Sequence, residues 1–253
     1  MSTLRKPLIV GNWKMHKTIA ETRTFVADVR ARPLPLGEVD AVICPPFTAL
    51  CAARDALAGS GIGLGAQNVG WADQGAFTGE ISPPMLSECG VAWVVIGHSE
   101  RRALFGELDF RVHEKAIAAL ARGITPIVAV GETAEEHAAG GALDKVRAQL
   151  HAAFDTMPVS HVARCVVAYE PIWAIGTGTA DTPESANALM GEVRRAIPGL
   201  ADAHLLYGGS MNAGNVAAFV AQPNIDGGLV GGASLQPDSF AALLDGARAG
   251  ARA

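Results

Sequence analysis

The sequence predicts an α/β fold, a single (β/α)8 barrel whose inner wall is built from eight parallel strands. Short apolar runs alternate with stretches of helical periodicity along the whole chain of 253 residues, and no linker interrupts them. The runs number eight, as such a barrel requires. We therefore expect residues 1–253 to form one domain. An open doubly wound sheet is the alternative, but the glycine-rich dinucleotide fingerprint is missing after the first run.

The apolar runs have the composition of strands that are buried on both faces. Pro126 lies near the first residue of the fifth run, where a strand tolerates proline. Between the runs, apolar residues recur three or four positions apart, as in helices with one buried face. Gly123 is expected to follow a helix end, and Asp181 or Thr182 to cap a helix with Pro183 in its first turn. The predicted strands cover residues 8–12, 39–43, 61–66, 91–96, 125–130, 162–169, 205–207 and 228–230.

Composition and charge exclude several classes of function. A hydrophobic content of 49% allows a substantial core. The net charge is −5 and the sequence contains no dense Lys/Arg cluster, so a nucleic-acid surface is not expected. The first apolar run ends at Gly11, which makes it too short for a signal peptide or a membrane-spanning helix. We therefore expect a cytoplasmic protein.

The cysteines do not form a recognisable motif. They are scattered, they lack the C-x-x-C spacing of metal or redox sites, and a chain of this size does not need disulfides. We expect reduced and mostly buried thiols at Cys44, Cys51, Cys89 and Cys165.

Polar side chains follow several of the predicted strands and converge at one end of a barrel. Asn12 and Lys14 follow the first strand, His98 the fourth and Glu170 the sixth. Taken singly, a lysine is usually a solvated surface charge and a histidine a structural residue. Taken together, they provide a carboxylate, an imidazole, an ammonium and an amide at the place where barrel enzymes have their active sites.

The segment after Glu170 has the composition of a flap. Pro171 stiffens the chain, Trp173 and Ile175 are apolar, and Gly176 permits hinge dihedrals. A solvated loop is the simpler interpretation of this segment alone. A lid that excludes water and raises the proton affinity of Glu170 is the interpretation that the other strand ends favour.

Glycine pairs follow the last two strands, where barrel enzymes often bind phosphate through backbone N–H groups. They are Gly208 and Gly209, with Ser210 next to them, and Gly231 and Gly232. Each pair alone could be a tight turn. The complete set suits proton transfer beside a carbonyl in a small phosphorylated substrate, without a cofactor or a metal.

In this scheme Glu170 is the base. His98, Asn12 and Lys14 stabilise the charge that develops on the carbonyl oxygen.

These motifs resemble the triosephosphate isomerase family from end to end, and the fold would then be its TIM barrel. The matching segments are Gly11-Asn12-Trp13-Lys14-Met15, Gly97-His98-Ser99-Glu100-Arg101-Arg102, the Glu170 lid segment, Tyr207-Gly208-Gly209-Ser210 and Leu229-Val230-Gly231-Gly232-Ala233-Ser234-Leu235. The resemblance implies that the chain interconverts dihydroxyacetone phosphate and glyceraldehyde 3-phosphate through an enediolate, in glycolysis and gluconeogenesis.

The same resemblance assigns roles to individual residues. Glu170 would be the base, His98 the electrophile, and Lys14 and Asn12 the groups that position the substrate and stabilise charge. Glu100 would order Lys14. The phosphate would be held by the main-chain amides of Gly176, Ser210, Gly231 and Gly232.

The family is also usually a homodimer in which a long loop reaches the partner's active site. Residues 67–80 resemble that loop and Thr78 would lie at its tip, although a self-packed surface loop is the alternative. The chain departs from common family residues at Thr179, Ala129 and Gly228, which bear on lid kinetics and packing.

Two rival functions are compatible with parts of this pattern. Another metal-independent sugar-phosphate isomerase or an aldolase is the first, and an aldolase would need a Schiff-base lysine that the interior strand runs lack. The second is a barrel that binds a phosphorylated metabolite without turnover. Such a protein would lack a base or an electrophile, whereas Glu170 and His98 are both present.

Overall fold

A computed structural model describes residues 5–175 and 181–251 of the chain. Eight parallel strands form a closed barrel in sequence order, and the eighth pairs with the first. The fold is therefore a single (β/α)8 barrel, as the alternation of apolar runs predicts. The strands are β1 Leu8–Asn12, β2 Asp40–Cys44, β3 Gly63–Ala66, β4 Trp93–Ile96, β5 Thr125–Val130, β6 Val166–Tyr169, β7 His204–Tyr207 and β8 Gly227–Val230.

Helices surround the barrel and connect its strands. One helix begins at its predicted signals: Thr182 accepts a hydrogen bond from the Ser185 backbone N–H, and Pro183 is the first residue of the helix. Gly123 follows a helix end with a left-handed φ of 73°. The helices are α1 Ile19–Arg30, α2 Leu50–Leu57, α3 Pro83–Glu88, α4 Ser99–Phe105, α5 Asp109–Ala121, α6 Ala134–Ala138, α7 Ala142–Phe154, α8 Val159–Val162, α9 Pro183–Ala196, α10 Val216–Val220 and α11 Pro237–Ala251.

The core has two layers because side chains alternate along each strand. Leu8, Val10 and Leu229 belong to a cluster inside the barrel. Ile9 and Val128 belong to the larger cluster between the barrel and its helices. Both faces of the strands are therefore buried, which explains why the strand sequences are almost continuously apolar.

The predicted start of the sixth strand is wrong. Residues Val159–Val162 form the short helix α8, and β6 begins only at Val166. Pro158 precedes this helix, and its carbonyl accepts hydrogen bonds from His161 and Val162. The apolar run therefore continues from Val162 at the end of α8 through Cys165 to β6. Hydrophobicity alone could not separate α8 from β6.

The expectation of four reduced cysteines is also wrong. Cys44 and Cys165 are buried free thiols, and burial raises the pKa of each to about 12. Cys51 on α2 and Cys89 at the end of α3 form a disulfide, with Cα atoms 5.0 Å apart. These two cysteines are 38 residues apart in sequence, so their proximity depends on how α2 packs against α3.

Among the described residues, no helix is long and apolar enough to cross a membrane.

Candidate active site

Lys14 lies two residues after the end of β1. It has an unusual backbone conformation and contacts three neighbouring residues. Its φ is +52°, in the left-handed region that non-glycine residues seldom occupy. Its backbone N–H donates to Asn12 Oδ1 at 3.1 Å, and its carbonyl accepts from Gln67 Nε2 at 2.8 Å. The ammonium Nζ lies 2.6 Å from Glu100 Oε1. These contacts direct the charged end of Lys14 toward the start of α4.

His98 lies where β4 turns into α4, and it caps that helix. Its Nδ1 accepts a hydrogen bond from the backbone N–H of Glu100 at 3.2 Å. The neutral ring therefore carries its proton on Nε2, because Nδ1 already serves as an acceptor. Gly97, just before the histidine, has a φ of +69°, and this turn directs the imidazole toward the end of β6.

Glu170 is only 2% exposed and pairs with His98 across the mouth of the barrel. Its Oε1 lies 3.0 Å from His98 Nε2, and its Oε2 accepts from the Ser99 backbone N–H at 2.9 Å. Glycines make room for it: a Cβ on Gly208 would lie 2.8 Å from Glu170 Cγ, and one on Gly131 would lie 1.8 Å from the Glu170 carbonyl oxygen.

The electrostatics of this pair favour a charged carboxylate. Burial disfavours that charge, but His98 and the Ser99 N–H outweigh it and lower the pKa of Glu170. Burial likewise disfavours a charged imidazole, yet the Glu170 carboxylate outweighs it and raises the pKa of His98. Glu170 is thus held as an ionised carboxylate. The higher proton affinity expected under a closed lid remains a prediction.

The backbone after β8 lies beside Lys14. Gly231 precedes a 3₁₀ turn over Gly232–Ser234. A Cβ atom built on Gly231 would lie 3.5 Å from Lys14 Cε and 4.0 Å from Nζ. An anion at this position would therefore be close both to an ammonium group and to backbone N–H groups.

Ser210 follows β7 and contacts the segment after the glutamate. Its hydroxyl donates to the Ala174 carbonyl oxygen at 2.6 Å. The side chain thus fixes that segment, and a contribution to phosphate binding is expected from the Ser210 backbone amide. Gly176, Gly178 and Thr179 lie outside the described residues.

One cavity of about 270 Å³ opens at this end of the barrel. Four of the predicted site residues line it, whereas Glu170 contacts its wall through His98. Ser210, Gly231 and Gly232 do not belong to this wall. The lining residues are Asn12, Lys14, Met15, Pro46, Phe47, Gln67, Asn68, His98, Glu100, Arg101 and Phe105. The described residues contain no group of His, Cys, Asp or Glu side chains that could hold a metal ion.

Comparisons with known proteins show the family to which the chain belongs. The family profile of triosephosphate isomerase matches residues 7–247 of the chain. The chain belongs to the triosephosphate isomerase family. It is 49% identical to the triosephosphate isomerase of Chloroflexus aurantiacus over 247 residues, which cover 95% of this chain and 99% of that one. It is 48% identical to the enzyme of Alcanivorax borkumensis over 248 residues, which cover 96% and 99% of the two chains.

Ala129 and Gly228, two of the residues expected to depart from common family residues, both lie in the barrel and contact neighbouring residues. Ala129 is fully buried on β5, and its carbonyl accepts from Arg102 Nη2 at 3.3 Å. Gly228 on β8 leaves space that Met211 fills, because a Cβ there would lie 2.3 Å from the Met211 sulfur.

Two residues contact the predicted site residues or their neighbours in ways that the sequence did not predict: Gln67, expected only as the start of the loop over residues 67–80, and Glu107. Gln67 donates to the carbonyls of both Lys14 and Cys44, and it follows β3 directly, so the rule of polar strand ends could have found it. Glu107 is buried and accepts from the backbone N–H of Gly97 at 3.0 Å. No local signal distinguishes Glu107, because its partners come from distant parts of the chain.

The loop over residues 67–80 is partly self-packed. The Gly70 N–H donates to the Ile81 carbonyl at 2.7 Å and closes the base of the loop. Trp71 and Phe77 make an edge-on ring contact with centroids 4.8 Å apart. Thr78 is exposed beyond them, and Phe77 is 42% exposed. The loop thus presents its far end to solvent in the isolated chain.

Proposed function

We propose that the chain interconverts dihydroxyacetone phosphate and D-glyceraldehyde 3-phosphate, with Glu170 as the base, in glycolysis and gluconeogenesis in the cytoplasm. The single observation that carries the assignment of roles is the His98–Glu170 pair, 3.0 Å apart, at the edge of a cavity that Lys14 and Asn12 also line. Membership of the family supports the choice of substrates.

The reaction needs one group that moves a proton between two carbons and one that stabilises the oxygen. Glu170 takes a proton from the carbon beside the carbonyl, and the electron pair moves to the carbonyl oxygen to give the enediolate. The isomerisation is complete when the neighbouring carbon receives the proton and the hydroxyl proton has moved from one enediolate oxygen to the other, so no external oxidant or reductant is required. The lowered pKa keeps Glu170 in the carboxylate form that can take a proton, while it also lowers the proton affinity of that carboxylate.

His98, Asn12 and Lys14 would stabilise the enediolate oxygens. The Nε2 proton of a neutral His98 suits donation to an oxygen. The Glu100 N–H favours this neutral form by donating to Nδ1, against the Glu170 carboxylate, which raises the pKa of the ring. The ammonium of Lys14 supplies fixed positive charge, and Glu100 orders it at 2.6 Å. Burial of Asn12, which is 5% exposed, strengthens its electrostatic effect.

The phosphate would lie against the backbone amides of Gly176, Ser210, Gly231 and Gly232. The short distance between Gly231 and the Lys14 ammonium supports this placement. Binding through backbone groups requires no cofactor, and the substrate's remote phosphate then contributes the binding energy that orients the reacting carbons.

We also propose a homodimer formed through residues 67–80, with Thr78 reaching the partner's cavity. Apolar side chains beside the cavity support it, because Met15 is 95% exposed and Phe105 is 69% exposed in the single chain. Exposed apolar side chains grouped around a site mark an interaction surface.

A coupled assay tests the activity. Purified protein with glyceraldehyde 3-phosphate, NADH and glycerol-phosphate dehydrogenase, in EDTA and without added metal, is expected to oxidise NADH. The Glu170→Gln variant should lose at least about 10³-fold in kcat, because the amide cannot accept the proton. Wild-type turnover no faster than that variant would contradict the proposal. Retained phosphate-ester binding without turnover would instead support a metabolite-binding barrel.

A further inference from the structure

The fully buried carboxylate of Glu132, just after β5, holds the chain on both sides of Glu170. Its Oε1 accepts from the Tyr169 hydroxyl at 3.1 Å and from the Trp173 indole N–H at 2.8 Å. Its backbone carbonyl accepts from the Ile172 N–H at 3.1 Å. Glu132 therefore contacts Tyr169, just before Glu170 in the chain, and Ile172 and Trp173, just after it. These contacts hold the segment from which the Glu170 carboxylate extends.

An imidazole covers one face of the same indole. The rings of His137 and Trp173 have centroids 4.4 Å apart and planes inclined at 37°. Nδ1 of His137 also lies 3.4 Å from Glu132 Oε1. The histidine side chain is 46% exposed, so the imidazole lies between the indole and solvent.

The helix that carries His137 is short but well anchored. Thr133 and Glu136 form a reciprocal capping box at the start of α6. Glu136 also pairs with Lys145 on α7 at 3.0 Å. The imidazole is therefore presented to the indole from a fixed position. On the opposite side, Ser210 holds the Ala174 carbonyl, so the turn over Ile172–Ala174 is held from two neighbouring strand ends.

We propose that His137 is a positioning residue for the isomerisation, acting through Trp173 on the placement of Glu170. The ring contact carries this role, because 3.4 Å is long for an N–H···O hydrogen bond and the contact lacks hydrogen-bond geometry. Loss of an aromatic contact of this kind loosens the turn next to the base, and small displacements of a base cost rate rather than substrate affinity. The proposal rests on the role proposed above for Glu170.

Steady-state kinetics of three variants test it. His137→Ala should lower kcat by about 3- to 10-fold and change KM by less than about 2-fold, because the phosphate site is untouched. His137→Phe keeps an aromatic face and should restore kcat to within about 2-fold of wild type. The control is His151→Ala. His151 is also half exposed beside a carboxylate, Asp155 at 2.7 Å, but on α7 and without an indole. It should change neither constant.

Fluorine NMR separates this proposal from the proposed function. The chain has four tryptophans, and in protein labelled with 5-fluorotryptophan the Trp173→Phe variant identifies the signal of Trp173. We expect His137→Ala to shift that signal, and His151→Ala to leave it unchanged. An unshifted signal in His137→Ala, or equal loss of kcat in the Ala and Phe variants, overturns the proposal. A wild-type protein without turnover would overturn the proposed function, whereas the NMR result would still report on the ring contact.

Discussion

Glu107 is a buried carboxylate that supports His98 without contacting the cavity. It accepts from Arg101 Nε at 2.6 Å and from the Gly97 N–H at 3.0 Å, and it lies 3.1 Å from Lys115 Nζ. Lys115 also donates to Asn68 at 2.8 Å, so the cluster joins α4, α5 and the end of β3. Its charge should stabilise the turn from which the imidazole extends.

This arrangement predicts a pH-dependent loss of stability in Glu107→Gln. Burial raises the pKa of Glu107, but Lys115, Arg101 and the Gly97 N–H outweigh burial and lower it below 4.5. A lowered folded-state pKa contributes stability above pH 4.5, and this contribution is lost as pH falls through the folded value. Near pH 7 the variant should lose about 3 to 5 kcal/mol, because Lys115 keeps a buried charge without its partner.

Urea unfolding between pH 3 and pH 7 measures this effect. The free-energy difference between wild type and variant should be largest near neutrality and should shrink below about pH 4. The control is Glu114→Gln, whose half-buried ion pair with Arg111 lies nearer to solvent and should contribute less than about 1 kcal/mol. A difference that stays constant over this range would show that the charge of Glu107 is not the cause.

At the level of single residues, the sequence predicts types of group better than their contacts. Asn12, Lys14, His98 and Glu170 could be selected because each follows an apolar run, and barrel geometry brings such positions together. Which nitrogen of His98 is protonated could not be predicted, because that depends on a backbone N–H two residues away. The hydroxyl of Ser210 likewise has a partner, Ala174, that only the folded barrel brings near.

The disulfide between α2 and α3 braces two elements on either side of β3. It closes a segment of 38 residues that includes β3 and the loop over residues 67–80. Chain-entropy arguments assign such a closure a stabilisation of up to about 4 kcal/mol, through restriction of the unfolded chain. The disulfide also limits the distance between α2 and α3, the helix that follows the loop over residues 67–80.

We therefore expect the Cys51→Ser, Cys89→Ser double variant to melt at a lower temperature than the oxidised wild type. Differential scanning calorimetry with and without a phosphine reductant makes the comparison. Reductant should lower the wild-type melting temperature toward that of the double variant, and it should leave the double variant unchanged because Cys44 and Cys165 are free thiols. Identical melting of oxidised and reduced wild type would contradict a stabilising role.

At the level of elements, hydrophobic periodicity locates all eight strands but not all of their ends. The predicted strand at 125–130 matches β5, whereas the run at 162–169 crosses from α8 into β6. The Pro158 carbonyl accepts the first hydrogen bonds of α8, and the carbonyls of His161 and Val162 accept from Arg164 and Cys165 before β6 begins. Side-chain polarity does not indicate these backbone hydrogen bonds. The cysteine pairing was missed for a related reason, since it depends on packing between helices far apart in sequence.

At the level of the whole molecule, the barrel follows from the sequence because eight buried parallel strands with intervening helices have few other closed arrangements. The cavity does not follow in the same way. Its wall combines strand ends with Phe47, Gln67 and Phe105, whose side chains meet only once the barrel has closed. The large apolar side chains that line the cavity, Met15, Phe47 and Phe105, are exposed in the single chain.

The proposed dimer gives the last prediction. Met15, Phe77 and Phe105 expose large apolar surfaces in the single chain, and Thr78 extends from the loop at the same end of the molecule. Light scattering should give a mass of two chains of 26.1 kDa each for the wild type. Thr78→Arg places a charge where the partner's surface would be apolar, and we expect it to weaken association by about 100-fold or more.

Activity should follow association in this variant, because the partner's loop would complete each cavity. Thr78→Arg should therefore lose specific activity on dilution and regain it as protein concentration rises. Ser160→Arg provides the matched control. Ser160 is exposed on α8, which precedes β6 and so lies at the opposite end of the barrel, and this variant should keep the wild-type mass and activity. A wild-type protein that has the mass of one chain at every concentration, or a Thr78→Arg variant with the mass of two chains throughout the dilution series, would rule out the loop as the dimer contact.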